Sequence, residues 1–405
     1  MMTDMGKALP QERLHAMDAV RGFALLLGIV LHGTMSFMPG LIAAGWPIAD
    51  NSPSNILGIF FYVIHIFRMA VFFMIAGFFA HFVFHRRGLR HFIRNRTTRI
   101  LIPLLVSWLP VVVSIMVAVF WAASKLEGYQ PPPDNREALI RFPLTHLWFL
   151  YVLLWIYTVS LLLRAAIVSF DRQQRLRRLI DQLFYRLIKS YLSPFVLAIP
   201  IAIILNAIPE WLWWSGIPTP DYSLDPNPYA FMIFLYLFII GWFLDRQRRL
   251  LTLFQKQWVI NLLLGTAATI GCLSIAGWDS TVIMQPALRE QKLIYAGLYA
   301  VAVTALSIGI TGAGMAFFCN ENPVIRYRSD ASYWMYIWHL PIIFIFQNLF
   351  MELALHWLIK FPLILVLTCI PLIISYDRLV RPTKIGEIMN GKRYPKGLPL
   401  RQDGS

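Results

Sequence analysis

Within Met17–Phe37 an arginine and a histidine, Arg21 and His32, share one hydrophobic run. They stand eleven positions apart, three turns plus about 20° on an α-helix, so they face the same way some ~16 Å apart along the axis. Asp18, fourteen positions before His32, falls on the same stripe. A carboxylate, a guanidinium and an imidazole on one face of an apolar helix must look into protein or a wet cavity. Either the stripe is polar glue between helices or it is a reaction or transport centre. More such groups follow. His65 and Arg68 are one turn apart in the next apolar run and share a face. His146 opens a later one, and Tyr336 and His339 lie in the ninth. Pro341 denies the Ile337 carbonyl its usual partner, so a kink is expected near His339. These depths suit a shared cavity. No HxH, HxxxH or HExxH spacing occurs and no acidic cluster joins the histidines, so no metal site is expected. No G-x-S-x-G elbow is present either.

The elements that carry them read as membrane helices. The 405 residues are 58% hydrophobic and only 14% charged, which fits an integral membrane protein. Ten apolar spans are expected, near 20–37, 56–84, 100–122, 146–163, 191–208, 230–244, 258–276, 294–318, 332–351 and 361–376. The fold class is therefore all-α, a polytopic helical bundle. Lys and Arg crowd the N-terminus, the even-numbered connections and the tail, leaving few in the other loops, so both termini are expected to be cytoplasmic. The net charge of +15 reflects that asymmetry and calls for no nucleic-acid partner. The first span reads as a signal anchor without a cleavage site. Three scattered cysteines make no disulfide framework.

Several connections have character of their own. Asp171–Ser190 repeats apolar residues at helical spacing with arginines on the other faces, as an amphipathic helix at the inner interface would. Arg96 and Arg99, at i and i+3 where the third span begins, are placed to grip phosphates or to serve as snorkelling anchors. The outer loop 209–229 carries Trp211, Trp213, Trp214, Tyr222 and Tyr229 beside Glu210, Asp221 and Asp225, and reads either as a sugar-stacking surface or as an interfacial belt. The Pro-rich loop 123–145 could form a semi-rigid flap. Residues 1–380 read as one membrane domain, followed by a disordered cytoplasmic tail, 381–405.

The run RLHAMDAVRGFALLLGIVLH resembles the opening of the membrane acyltransferase 3 family, whose signature is Arg, ten residues, then His, here Arg21 and His32. Arg96 and Arg99 match its R-x-x-R at the start of the third helix. FFMIAGFF (Phe72 to Phe79) resembles its FF-x-x-S-G-F, with Ala76 at the usual serine. HLWFL and YWMYIWHLP resemble later segments, so the likeness covers about residues 13–376. His65 together with Phe67, Arg68 and Met69 resembles those members implicated in succinylating periplasmic glucans. The resemblance implies acyl transfer from cytoplasmic acyl-CoA (succinyl-CoA or acetyl-CoA), with no permanently bound cofactor, to hydroxyls of a periplasmic glucan or another glycan. It also implies residence in a bacterial inner membrane, with glucan-synthesis proteins as partners. On that reading Arg96 and Arg99 hold CoA phosphates, and Asp18 and Arg21 seat the donor. His32 is the base or forms an acyl intermediate, and Arg68 meets a carboxylate or oxyanion. His65, His146, Tyr336 and His339 line the acceptor side. A transporter or flippase is the competing class. It predicts repeated halves with matched helix breaks, and no second copy of the Arg–His stripe is seen.

Overall fold

The computed structural model describes residues 12–42, 44–125, 143–219, 224–320, 322–390 and 393–394. Most of the flap, and Asp221 and Tyr222 of the aromatic loop, lie outside them. The described residues are helical: α1 (Glu12–Thr34), α2 (Asn55–Arg96), α3 (Ile102–Ser124), α4 (Trp148–Phe170), α5 (Arg175–Lys189), α6 (Ser193–Ala207), α7 (Pro228–Arg246), α8 (Arg249–Ala276), α9 (Arg289–Phe317), α10 (Pro323–Phe350), α11 (Trp357–Ser375) and α12 (Lys384–Asn390). Their starts are written locally. Ser54 accepts from the Leu57 amide at α2. Asn227 and Asn322 cap α7 and α10, each followed by a proline that needs no amide partner in the first turn.

Each of the ten expected segments is helical. Seven stretches among the described residues are long and apolar enough to cross a membrane, and the α5–α6 pair, bent by 113°, makes an eighth if it is one span. One of the seven, Asn55–Ser124, contains both α2 and α3. The helix α6 is short on its own, at 15 residues. The apolar run of α10 is diluted by His339, Gln347 and Asn348. The expected amphipathic segment is α5.

The tightest seam joins α2 and α7. A Cβ at Gly77 would collide with the Phe238 carbonyl, and one at Gly241 with that of Met74. Only glycine lets the two backbones approach this closely, the small-residue packing common between membrane helices. Next to it His81 Nδ1 meets Asp245 Oδ2 at 2.6 Å, and Arg248 Nη2 meets Asp245 Oδ1 at 2.6 Å. A buried carboxylate is thus paired on both sides.

Two expectations change. The aromatic loop is no exposed platform: Trp211, Trp213 and Trp214 are buried. Backbone pairing with the 285–287 segment draws the loop inward, through Trp213 N to Gln285 O and Ala287 N to Trp211 O. The indoles then pack on Tyr62, Tyr295 and Tyr299, so apolar burial outweighs display. The tail is also partly ordered. Residues 384–390 form α12, and Tyr394 donates its amide to the Arg381 carbonyl.

Candidate functional site

The histidines of three helices converge. His339 Nδ1 lies 2.6 Å from the Tyr336 carbonyl and its Nε2 lies 2.8 Å from His32 Nδ1. A carbonyl only accepts, so in the neutral ring His339 Nδ1 carries the proton and Nε2 is an acceptor. His32 Nδ1 must then donate to it, which leaves His32 Nε2 with an open lone pair. Two linked imidazoles thus fix which nitrogen of His32 can take a proton. The rings of His146 and His339 are 4.9 Å apart, and those of His146 and His32 are 6.3 Å apart.

His146 is held by the helix fault that Pro341 creates. Its Nε2 donates to the Ile337 carbonyl at 3.0 Å, the acceptor four residues before the proline. The Tyr336 hydroxyl donates to the His146 carbonyl at 2.5 Å. The helix α10 continues through Pro341 with its orphaned carbonyl satisfied.

Arg68 reaches the cluster from α2 by passing over Gly28. A Cβ there would stand 2.6 Å from Arg68 Nη1 and 3.9 Å from His339 Nε2. His32, Arg68, His146 and Tyr336, with Phe72 and Phe149, enclose a cavity of about 30 Å³, enough for a water. Trp46 lies parallel to His32, ring centroids 6.1 Å apart. Its loop is pinned by buried Lys360, whose Nζ donates to Asp50 Oδ1 at 2.8 Å and to Asn51 Oδ1 at 2.6 Å.

A second, much larger cavity of about 590 Å³ lies further down α1 and α2, roughly one turn from the small cavity on α1 (Ala24 to Arg21) and about two turns on α2 (Phe72 to Phe79). Arg21, Arg86, Arg87, Arg99 and Arg326 line it, with Asp18 and Asp330. Arg21 pairs with Asp18 at 3.1 Å, and Ser329 Oγ donates to the Asp18 carbonyl at 2.7 Å. Five guanidiniums against two carboxylates suit a polyanion. The expected stripe is therefore divided, with Asp18 and Arg21 on this cavity and His32 on the smaller one.

Not every expected residue joins these sites. Arg99 faces the large cavity, whereas Arg96 stacks against Phe92 and Tyr157, 5.0 and 4.7 Å from their centroids. The π-helical turn Thr97–Leu101 follows Arg96 and contains Arg99, and its wider winding separates side chains that an α-helix would align. His65 Nε2 donates to the Ser215 carbonyl at 2.9 Å and so holds the aromatic loop instead of lining the small cavity. Sequence reasoning missed Gly28, Trp46, Asp330 and Tyr394. Arg86 and Arg87 stood within a basic run that gave no sign which members turn inward.

The family model for the acyltransferase 3 domain matches residues 14–376. The chain belongs to the acyltransferase 3 family. Its apolar helices make it a multi-pass membrane protein. It is 30% identical over 156 residues to proteins named "Glucans biosynthesis protein C" from Salmonella typhi, Salmonella typhimurium and Salmonella paratyphi B. Those matches cover 38% of this chain and 40% of each relative's length. No solved structure matches the chain.

Proposed function

We propose that this enzyme takes an acyl group, succinyl in the first instance, from cytoplasmic acyl-CoA and passes it to a hydroxyl of a periplasmic glucan across a bacterial inner membrane. The observation that carries this reading is the stacking of two unlike cavities along α1, Arg-rich below and histidine-lined above. The name shared by the relatives supports the glucan. In this reading the ten helical segments cross the bilayer, both termini are cytoplasmic, and the large cavity opens on the inner side.

Arg21, Arg87 and Arg99 hold the CoA phosphates in the large cavity, and the acyl arm passes between Phe79 and Ala19 towards Phe72 and Ala24. At the upper cavity His32 Nε2 takes the proton of the sugar hydroxyl as its oxygen attacks the thioester carbon. The C–S bond breaks, and the proton on His32 returns to the departing CoA thiolate. Arg68 stabilises the carbonyl oxygen as it gains charge, or pairs with the succinyl carboxylate. His339 positions His32 and does not itself touch substrate.

The test is mass spectrometry of glycans from cells lacking the gene, complemented with wild type or His32→Ala. A succinyl mass on periplasmic glucan that requires both the gene and His32 is the expected result. An acetyl mass on another glycan would replace donor and acceptor, and full transfer by His32→Ala would remove the base.

A further inference from the structure

A third cavity, of about 190 Å³, lies away from both sites, between the last turns of α4 and α7 and the start of α5. Its polar end is built from Arg164, Arg177, Arg246 and Ser160, and its apolar walls include Leu163 and Phe243. The guanidiniums are held in place from behind. Asp171 accepts from Arg177 Nε at 3.1 Å and its carbonyl accepts from Arg177 Nη2 at 2.7 Å. Asp181 pairs with Arg246 Nη2 at 2.6 Å. Neither carboxylate lines the cavity. Arg164 has no carboxylate partner among the described residues and stacks on Phe84 at 4.3 Å. Ser160 Oγ is buried without a hydrogen-bond partner among them.

We infer that this cavity binds the headgroup of an anionic diacyl phospholipid. A phosphodiester would accept from Arg164 and from the remaining guanidinium N–H groups, and would give the Ser160 hydroxyl an acceptor. The apolar side decides for a lipid over a free anion. Leu163 and Ile167 of α4 are exposed beside the cavity, as are Leu162 and Phe170, so acyl chains can continue from the headgroup along the helix surface. The amphipathic helix α5 brings Arg177 to the level where headgroups lie, the arrangement by which basic clefts between membrane helices select acidic lipids. The site is independent of the acyl-transfer reading.

Native mass spectrometry of the purified full chain, titrated with phosphatidylglycerol or phosphatidylcholine, tests it. Phosphatidylglycerol should be retained preferentially. Arg164→Leu should weaken it by about tenfold, the effect of one lost charge-assisted hydrogen bond, and leave phosphatidylcholine unchanged. Arg178→Leu, on the exposed side of α5, should change it by less than about twofold. Equal retention of the two lipids, or an equal loss in Arg178→Leu, would overturn the site in favour of diffuse surface attraction. Displacement by inorganic phosphate would overturn the lipid assignment in favour of a free anion. Should Arg164→Leu fail to fold, Arg164→Gln and the phosphate competition on the wild-type chain decide the same question.

Discussion

The two cavities along α1 solve opposite problems. The lower one is roomy, with five arginines set against two acids, and its chemistry rests on summed charge. No single side chain there determines the geometry of the rest. The upper one has room for about one water, and its imidazoles are tied by directed hydrogen bonds: Tyr336 carbonyl to His339, His339 to His32, Ile337 carbonyl to His146. A site built on charge tolerates the loss of one member, while a site built on directed hydrogen bonds does not. Recognition of a large anionic donor and transfer of a single proton call for these two designs in turn.

That contrast can be tested by breaking each side. His339→Leu should lower kcat by roughly 10- to 100-fold, as loss of a ring-orienting partner does elsewhere, with the donor KM little changed. His339→Gln, whose amide oxygen can accept from His32 Nδ1, should recover part of the loss. Its pH–rate profile should also lie nearer the wild type than that of the Leu variant. If Leu and Gln are equally impaired, the role of His339 is packing alone.

Gly28→Ala should displace Arg68 and cost about tenfold in kcat, since one methyl takes the space of a guanidinium nitrogen. Arg68→Ala should harm a succinyl donor more than an acetyl donor, and equal losses would assign Arg68 to the oxyanion. The smallest effect is expected below. Arg99→Ala should raise the donor KM by a few fold and make it more sensitive to salt. Arg96→Ala should leave the donor KM alone and lower the thermal midpoint instead, because its guanidinium packs on two rings. A KM effect from Arg96 equal to that from Arg99 would merge the two arginines into one site.

Much of this was legible in residue types and spacing. Intramembrane His32, Arg68, His146 and His339 are too costly to leave in lipid, and their common depth already suggested one cavity. What spacing could not supply was pairing. Which ring nitrogen of His339 meets His32 depends on a carbonyl three residues away. The separation of Arg96 from Arg99 depends on a π-turn that no propensity marks. The tryptophans of 211–214 read as a sugar-stacking surface or an interfacial belt, and their burial shows only once the tyrosines of α2 and α9 stand beside them. The return of Tyr394 to the large cavity is a contact over hundreds of residues, invisible to local periodicity.

The fault at Pro341 has one more consequence. An uninterrupted helix offers a neighbour no landmark, because every carbonyl along it is already engaged. Removing one amide leaves a solitary socket on α10, and the imidazole of His146 plugs into it. If α10 slid by a single turn, ~5.4 Å, the plug would meet a carbonyl already in use and the socket would be left empty in a place water reaches poorly. The proline thus works as an index mark, setting the height of α4 against α10 and with it the height at which three imidazoles meet.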